Sequence, residues 1–186
     1  MSADRGAAVR LHSASVADTA RLGAALARLL EPGDVVLLSG ALGAGKTTLV
    51  KAVVAALGGP EEVTSPTFTL LHTYATDPPV AHVDCWRLEQ LHEVLDLGLE
   101  ELLDDGGVAL VEWGEAAAAR FGQGALRVEL ALPEPALPEA APAGTGDGSG
   151  STAEGDPPGE GREIELVGEG SWPARLERLA AALGGA

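Results

Sequence analysis

Lysine is almost missing from this chain. Two occur among 186 residues, Lys46 and Lys51, and both lie in one short stretch. Cysteine occurs once, at Cys85, so no disulfide can form within the chain. Long apolar runs are missing as well: none approaches the roughly 18 residues that a membrane span needs. The N-terminal MSADRGAAVRLHSAS has no basic segment leading into an apolar one, which speaks against a secretory leader. These absences lead us to expect a soluble, cytoplasmic protein with no membrane partner.

Positive charge is scarce throughout. The formal net charge is −16, from 12 basic and 28 acidic side chains. Residues 1–132 carry 9 of the basic and 18 of the acidic ones, so the acidity is not confined to one segment. Neither part resembles a surface that neutralises a nucleic-acid backbone, and direct tRNA or DNA binding by the chain alone is not expected. A small phosphate ligand is another matter, because backbone N–H groups hold an anion without net positive charge.

Apolar residues make up 46% of the chain, enough to bury a core, and the length suits a single domain. Residues 133–161, PEPALPEAAPAGTGDGSGSTAEGDPPGEG, have no aromatic residue and no apolar period. Such a stretch buries too little surface to offset its ordering entropy, and it reads as a disordered, acidic insertion loop. The C-terminal segments REIELVG and SWPARLERLAAAL make one strand and one helix, too short to fold alone. The expected domain is therefore 1–132 plus 162–186.

Strands and helices alternate along it. AAVRLHSA reads as a strand, and Ser15 caps a helix over 16–30. VVLLS is an apolar strand of the buried kind. A helix over about 47–57 ends at Gly58-Gly59-Pro60. TFTLLHTYA and VAHVD flank TDPP as an antiparallel hairpin. Helical turns occupy about 88–104, followed by the strand VALVEW, the short helix GEAAAARF and the alternating strand ALRVELAL. The fold class is α/β: a layered domain with a central mixed sheet and flanking helices.

From Gly40 to Thr47 the chain reads GALGAGKT, which fits G-x-x-x-x-G-K-[ST] between an apolar strand and a helix. Gly43 and Gly45 allow positive φ and close approach to an anion. The N–H groups of Gly43, Ala44, Gly45, Lys46, Thr47 and Thr48 are expected to form the phosphate cradle, with the helix's positive end behind it. Lys46 is placed to reach the β- and γ-phosphates of ATP, and Thr47 Oγ to bind Mg2+. Lys51 reads as a solvated surface residue. Two strands end in an acid, Asp84 and Glu112, either of which suits the metal or an attacking water. Thr64, Ser65 and Thr67 of VTSPTFT fit either a switch segment over the γ-phosphate or an ordinary loop stiffened by Pro66.

Other features read as structural. His72 and His82 have no Cys/His cluster around them, Cys85 carries no activating signature, and Trp86 and Trp113 read as core aromatics. A guanine-specific N-K-x-D segment would need a third lysine well downstream, and there is none. A small-molecule kinase, which needs arginines in a lid, is poorly supported: Arg87, Arg120 and Arg127 are the only ones between the loop helix and the insertion. Arg87 is the candidate for an arginine finger in cis. So few arginines imply slow hydrolysis by the isolated protein.

GALGAGKTTLVKA, TSPTFTL, HVDCWRL, LGLEELL and LVEWGE, in this order and spacing, resemble the TsaE (YjeE) family over about residues 13–115. This family is the bacterial ATPase required for threonylcarbamoyladenosine formation on tRNA. The resemblance implies a small, P-loop NTPase-like α/β fold with Mg-ATP in the loop of residues 43–48, Thr47 and Glu112 toward the metal, and Asp84 as a second active-site acid. It implies that the TsaD–TsaB pair is the partner and is reset or remodelled between turnovers. It also implies that Arg162, in the Gly-Arg opening the late strand, lies near the nucleotide. A nucleotide-gated binding module with negligible hydrolysis is the alternative. Two departures stand out: Trp86 replaces the usual tyrosine of H-x-D-x-Y-R, and the insertion of 133–161 is long for the family.

Overall fold

The computed structural model describes residues 6–60, 63–64, 66, 70–86, 98–132 and 161–184, with the backbone alone at 115 and 116. Seven strands form one sheet: β1 (Ala7–Ser13), β2 (Val35–Gly40), β3 (Leu71–Tyr74), β4 (Val80–Asp84), β5 (Val108–Glu112), β6 (Leu126–Ala131) and β7 (Arg162–Gly168). The helices are α1 (Val16–Ala27), α2 (Lys46–Ala56), α3 (Leu99–Asp104), α4 (Glu115–Phe121) and α5 (Trp172–Ala182). The strand order is β1-β7-β6-β2-β5-β4-β3. Strands β6, β2, β5 and β4 run parallel, whereas β7 and β3 are antiparallel to their neighbours. The expected layered α/β domain with a mixed sheet is what the chain forms.

The sheet divides two cores. Val36, Leu38, Leu110 and Val128 face α1, α2 and α5, while Val35, Leu37, Ala109 and Val111 face α3 and α4. Helices on both faces explain why β2, β4 and β5 are apolar runs rather than alternating ones. β6, by contrast, alternates buried and exposed residues along LRVELA, which shows that one of its faces meets water. β7 pairs with both β6 and β1, so the segment after the insertion completes the main sheet. Of the insertion itself, residues 133–160 lie outside the described residues, as does most of the helical stretch expected over 88–104.

Local signals set the helix ends. Ser15 Oγ accepts from Asp18 N at 3.1 Å and starts α1. The Asp18 carboxylate in turn bonds Arg21, Ser15 and Ala14, which holds its pKa below the ordinary value. α1 stops three residues short of the expected end, because its last turn tightens into Leu29 N→Leu26 O and Leu30 N→Ala27 O bonds ahead of Pro32.

A buried ion pair anchors the C-terminal helix to the start of β2. The Arg175 guanidinium donates to both oxygens of Asp34, at 2.5 and 2.9 Å, and to Leu29 O at 2.9 Å. Its plane lies 3.7 Å from the Trp172 ring. Removing one partner of such a pair leaves a buried charge uncompensated, at a cost of about 3–5 kcal/mol. Arg175→Ala is therefore expected to lower the melting temperature by roughly 10 °C. Calorimetry showing a shift under about 2 °C would place this pair among the dispensable ones.

Candidate functional site

Parallel strands deliver their C-terminal ends to one edge, and that edge is where the chemistry gathers. α2 follows β2 on one face of the sheet and α4 follows β5 on the other. Adjacent strands whose connections leave on opposite faces open a crevice between their ends. A cleft of about 410 Å3 lies here, lined by Leu42, Gly43, Gly45, Lys46, Thr47, Thr48, Asp84, Trp86, Glu112 and Trp113. A second cavity of about 380 Å3, between β1, α1 and α5, contains none of the expected site residues.

The glycine loop joins β2 to α2. Gly43 and Gly45 adopt φ of 80° and 105°, a region that side chains with a Cβ enter only at a cost. Gly45 is the N-cap of α2 and offers no side-chain cap, so the helix's first turn opens on the cleft. First-turn N–H groups have no acceptor within their helix, which makes this end of α2 attractive to anions. Ala44 differs from its neighbours: its side chain packs in the core and its N–H donates to Ala41 O at 3.1 Å.

Lys46 is folded back onto its own loop. Nζ donates to Gly40 O at 2.8 Å and to Ala41 O at 2.9 Å, and it sits 3.8 Å from the centre of the Trp113 ring. Both carbonyls belong to residues that a phosphate oxygen could replace as acceptors for the same ammonium. Trp113 reaches this position through a left-handed backbone, φ 57°, held by its N–H to Leu38 O at 2.9 Å. A bulky residue in that region carries strain of about 1 kcal/mol or more.

The two acids are register partners on adjacent strands, Asp84 opposite Glu112. Both are buried. Glu112 Oε1 accepts from Thr47 Oγ1 at 2.7 Å, which ties β5 to the first turn of α2. The same oxygen lies 2.9 Å from His82 Nε2. Asp84 Oδ1 accepts from the N–H of Trp86 at 3.0 Å. Among the described residues no three His, Cys, Asp or Glu side chains gather as a metal cluster. Thr47 Oγ1 and Glu112 are the cleft oxygens that could hold a hard cation.

Arg162 enters from the other side. β7 returns antiparallel to β6, so its first residue lands at the same edge as the ends of the parallel strands. Arg162 Nε lies 3.9 Å from where a Cβ on Gly45 would sit, beside the loop. Gly43, Gly45, Lys46, Thr47, Thr48, Asp84 and Glu112 thus converge on the cleft and Arg162 flanks it. Thr64 is exposed. Ser65, Thr67 and Arg87 lie outside the described residues.

Three residues differ from their sequence-based expectation. Trp86 is not a core aromatic: it is 54% exposed and stacks on Trp113, ring centres 4.3 Å apart. It sits just beyond the end of β4. Trp113 does pack against the core, yet its ring also forms one wall of the cleft. His82 is buried as expected, but its contact with Glu112 puts it against the site. Its alternation with Val80 and Asp84 along β4 was the available signal, since residues two apart share a face.

A family model described as "Threonylcarbamoyl adenosine biosynthesis protein TsaE" matches residues 13–135. The chain belongs to the TsaE family. Its relatives include the tRNA threonylcarbamoyladenosine biosynthesis protein TsaE of Treponema pallidum, 44% identical over 122 residues, covering 66% of this chain and 90% of that protein. The Bacillus subtilis TsaE is 43% identical over 112 residues, covering 60% and 68%. Among solved structures, that of Bacillus subtilis YdiB aligns with a TM-score of 0.65 and 26% identity over 98% of this chain and 97% of that one. TsaE membership places the chain in tRNA threonylcarbamoyladenosine biosynthesis. No helix among the described residues is long and apolar enough to cross a membrane.

In this TsaE-family chain the aromatic pair gives an optical handle on the cleft. Trp172 is buried, so Trp86 is the indole most open to a quencher. Acrylamide should quench the wild-type protein readily, and Trp86→Phe should remove most of the quenchable emission. An unchanged quenching slope would show that the pair is not arranged as described.

Proposed function

We propose that this chain binds Mg-ATP in the cleft at the ends of β2, β4 and β5 and hydrolyses it to reset a TsaD–TsaB complex during tRNA threonylcarbamoyladenosine formation in the cytoplasm. The observation that carries this reading is the convergence, at one sheet edge, of a glycine loop, a lysine and a threonine-bound carboxylate on the first turn of one helix. The family membership supplies the pathway. The acidity of the chain supports a protein partner over direct contact with tRNA, since a protein rich in carboxylates repels phosphate backbones.

Each residue has a task in this scheme. The amides of Gly43, Gly45, Lys46, Thr47 and Thr48 surround the phosphates, and that of Ala44 joins them by giving up Ala41 O. Lys46 exchanges the carbonyls of Gly40 and Ala41 for phosphate oxygens. Thr47 Oγ1 and Glu112 hold Mg2+, which neutralises phosphate charge when bound. Asp84, with one oxygen on the Trp86 N–H, is the acid left to orient the attacking water. Arg162 approaches the phosphates from β7.

Slow hydrolysis by the chain alone is expected because few arginines serve the cleft: among the described residues Arg162 flanks it, while Arg120 pairs with Glu100 at 2.6 Å and Arg127 is exposed on β6. A transition-state arginine is worth about 10³–10⁵ in rate, so a partner supplying one would stimulate strongly. Two observations test the proposal. ADP production by the purified protein should be slow and should rise about tenfold or more with TsaD and TsaB present. A brisk rate without them would contradict partner dependence, and no rate with them would favour a nucleotide-gated module. Lys46→Ala removes two charge-assisted bonds and should weaken ATP binding by about 100-fold or more in calorimetric titration. Unchanged affinity would remove the loop from the nucleotide site.

A further inference from the structure

The buried histidine beside the site has a distinctive bonding pattern. His82 is fully buried on β4, its Nε2 lies 2.9 Å from Glu112 Oε1, and its Nδ1 has no hydrogen-bond partner among the described residues. A bare ring lone pair facing a carboxylate oxygen at that distance is repulsive, so Nε2 carries the proton and donates it. Nδ1 is then an acceptor without a donor, which is the cheaper orphan: a buried N–H without an acceptor is rarer than an under-used acceptor. Glu112 Oε1 therefore receives two donors, the His82 ring and the Thr47 hydroxyl.

This double donation has a geometric result. Thr47 points its proton at Glu112 and keeps its lone pairs for another partner. Both bonds fall on one oxygen of a carboxylate that lines the cleft. Oε2 remains as the oxygen that can meet a metal or a metal-bound water. Without the histidine, the glutamate would be held by Thr47 alone and could rotate about its terminal torsion, which is broad for a carboxylate.

We propose that His82 is a positioning residue: by donating to Glu112 Oε1 it fixes the carboxylate so that Oε2 and the Thr47 lone pairs face the metal position together. The inference rests on the nucleotide reading of the cleft. Supporting groups of this kind are worth about 10–100-fold in metal affinity. They leave the loop amides that grip the phosphates untouched.

The test compares wild type with His82→Phe, which fills the space without a donor, and His82→Gln, whose side-chain amide can reach the same oxygen. Mn2+ affinity of the ADP-bound protein is read by electron paramagnetic resonance. ADP affinity in EDTA is read in parallel, as a measure of folding and of the phosphate cradle. His82→Phe should bind Mn2+ about 10–100-fold more weakly, with ADP affinity in EDTA within about twofold of wild type, and His82→Gln should recover most of the loss. Mn2+ affinity retained by His82→Phe would overturn the proposal. So would equal losses in both variants, because a restored donor would then fail to restore metal binding. Should His82→Phe lose ADP binding in EDTA, His82→Gln decides: near wild-type Mn2+ affinity supports the proposal and a tenfold loss overturns it. A wild-type protein that takes up no ADP at all would refute the nucleotide reading itself.

Discussion

One carboxylate oxygen holds the site together. Glu112 Oε1 receives Thr47 from the first turn of α2 and His82 from β4, so a single atom joins three elements of the fold. Each bond alone is a modest contribution, about 0.5–3 kcal/mol depending on charge. Their value lies in placement. They hold the helix N-terminus against the ends of the parallel strands, where the helix's positive pole and the two acids share a small volume. For the proposed nucleotide this placement matters, because donors that reorganise on binding give back much of the affinity.

The surrounding fold supports that arrangement by topology. Helices leave the ends of β2 and β5 on opposite faces, so the crevice is open because nothing can cross it. The antiparallel return of β7 brings Arg162 to the same edge from a position 115 residues beyond Thr47 in the sequence. At the far end of β2, the Arg175–Asp34 pair fixes where the strand begins. Lys46 satisfies its ammonium on two loop carbonyls and the Trp113 face, so the loop is not left with a bare buried charge.

Much of this was legible from residue order. The apolar runs VVLLS and VALVEW read as buried strands and VAHVD as half of a hairpin, and GALGAGKT announced a strand-to-helix turn with its own chemistry. Ser15 marked the start of α1, and the alternation in LRVELA matched β6 with one face in water. The contacts made across strands were not legible. Nothing in the spacing of His82 and Glu112 reveals that they meet, since their strands become neighbours only through the sheet order. The exposure of Trp86 escapes the sequence for a related reason: an indole is apolar enough for a core, but its place past the end of β4 puts it against Trp113 with half of its surface exposed. The left-handed turn at Trp113 is likewise a tertiary product, because no local rule favours it for a tryptophan.

The most direct test of the account is a crystal structure of the protein grown with Mg2+ and a non-hydrolysable ATP analogue. The account predicts the β- and γ-phosphates on the amides of residues 43–48, Lys46 Nζ withdrawn from the carbonyls of Gly40 and Ala41, and the metal against Thr47 Oγ1 on the Glu112 side. A nucleotide bound elsewhere, or bound here with Lys46 still on both carbonyls, would contradict it.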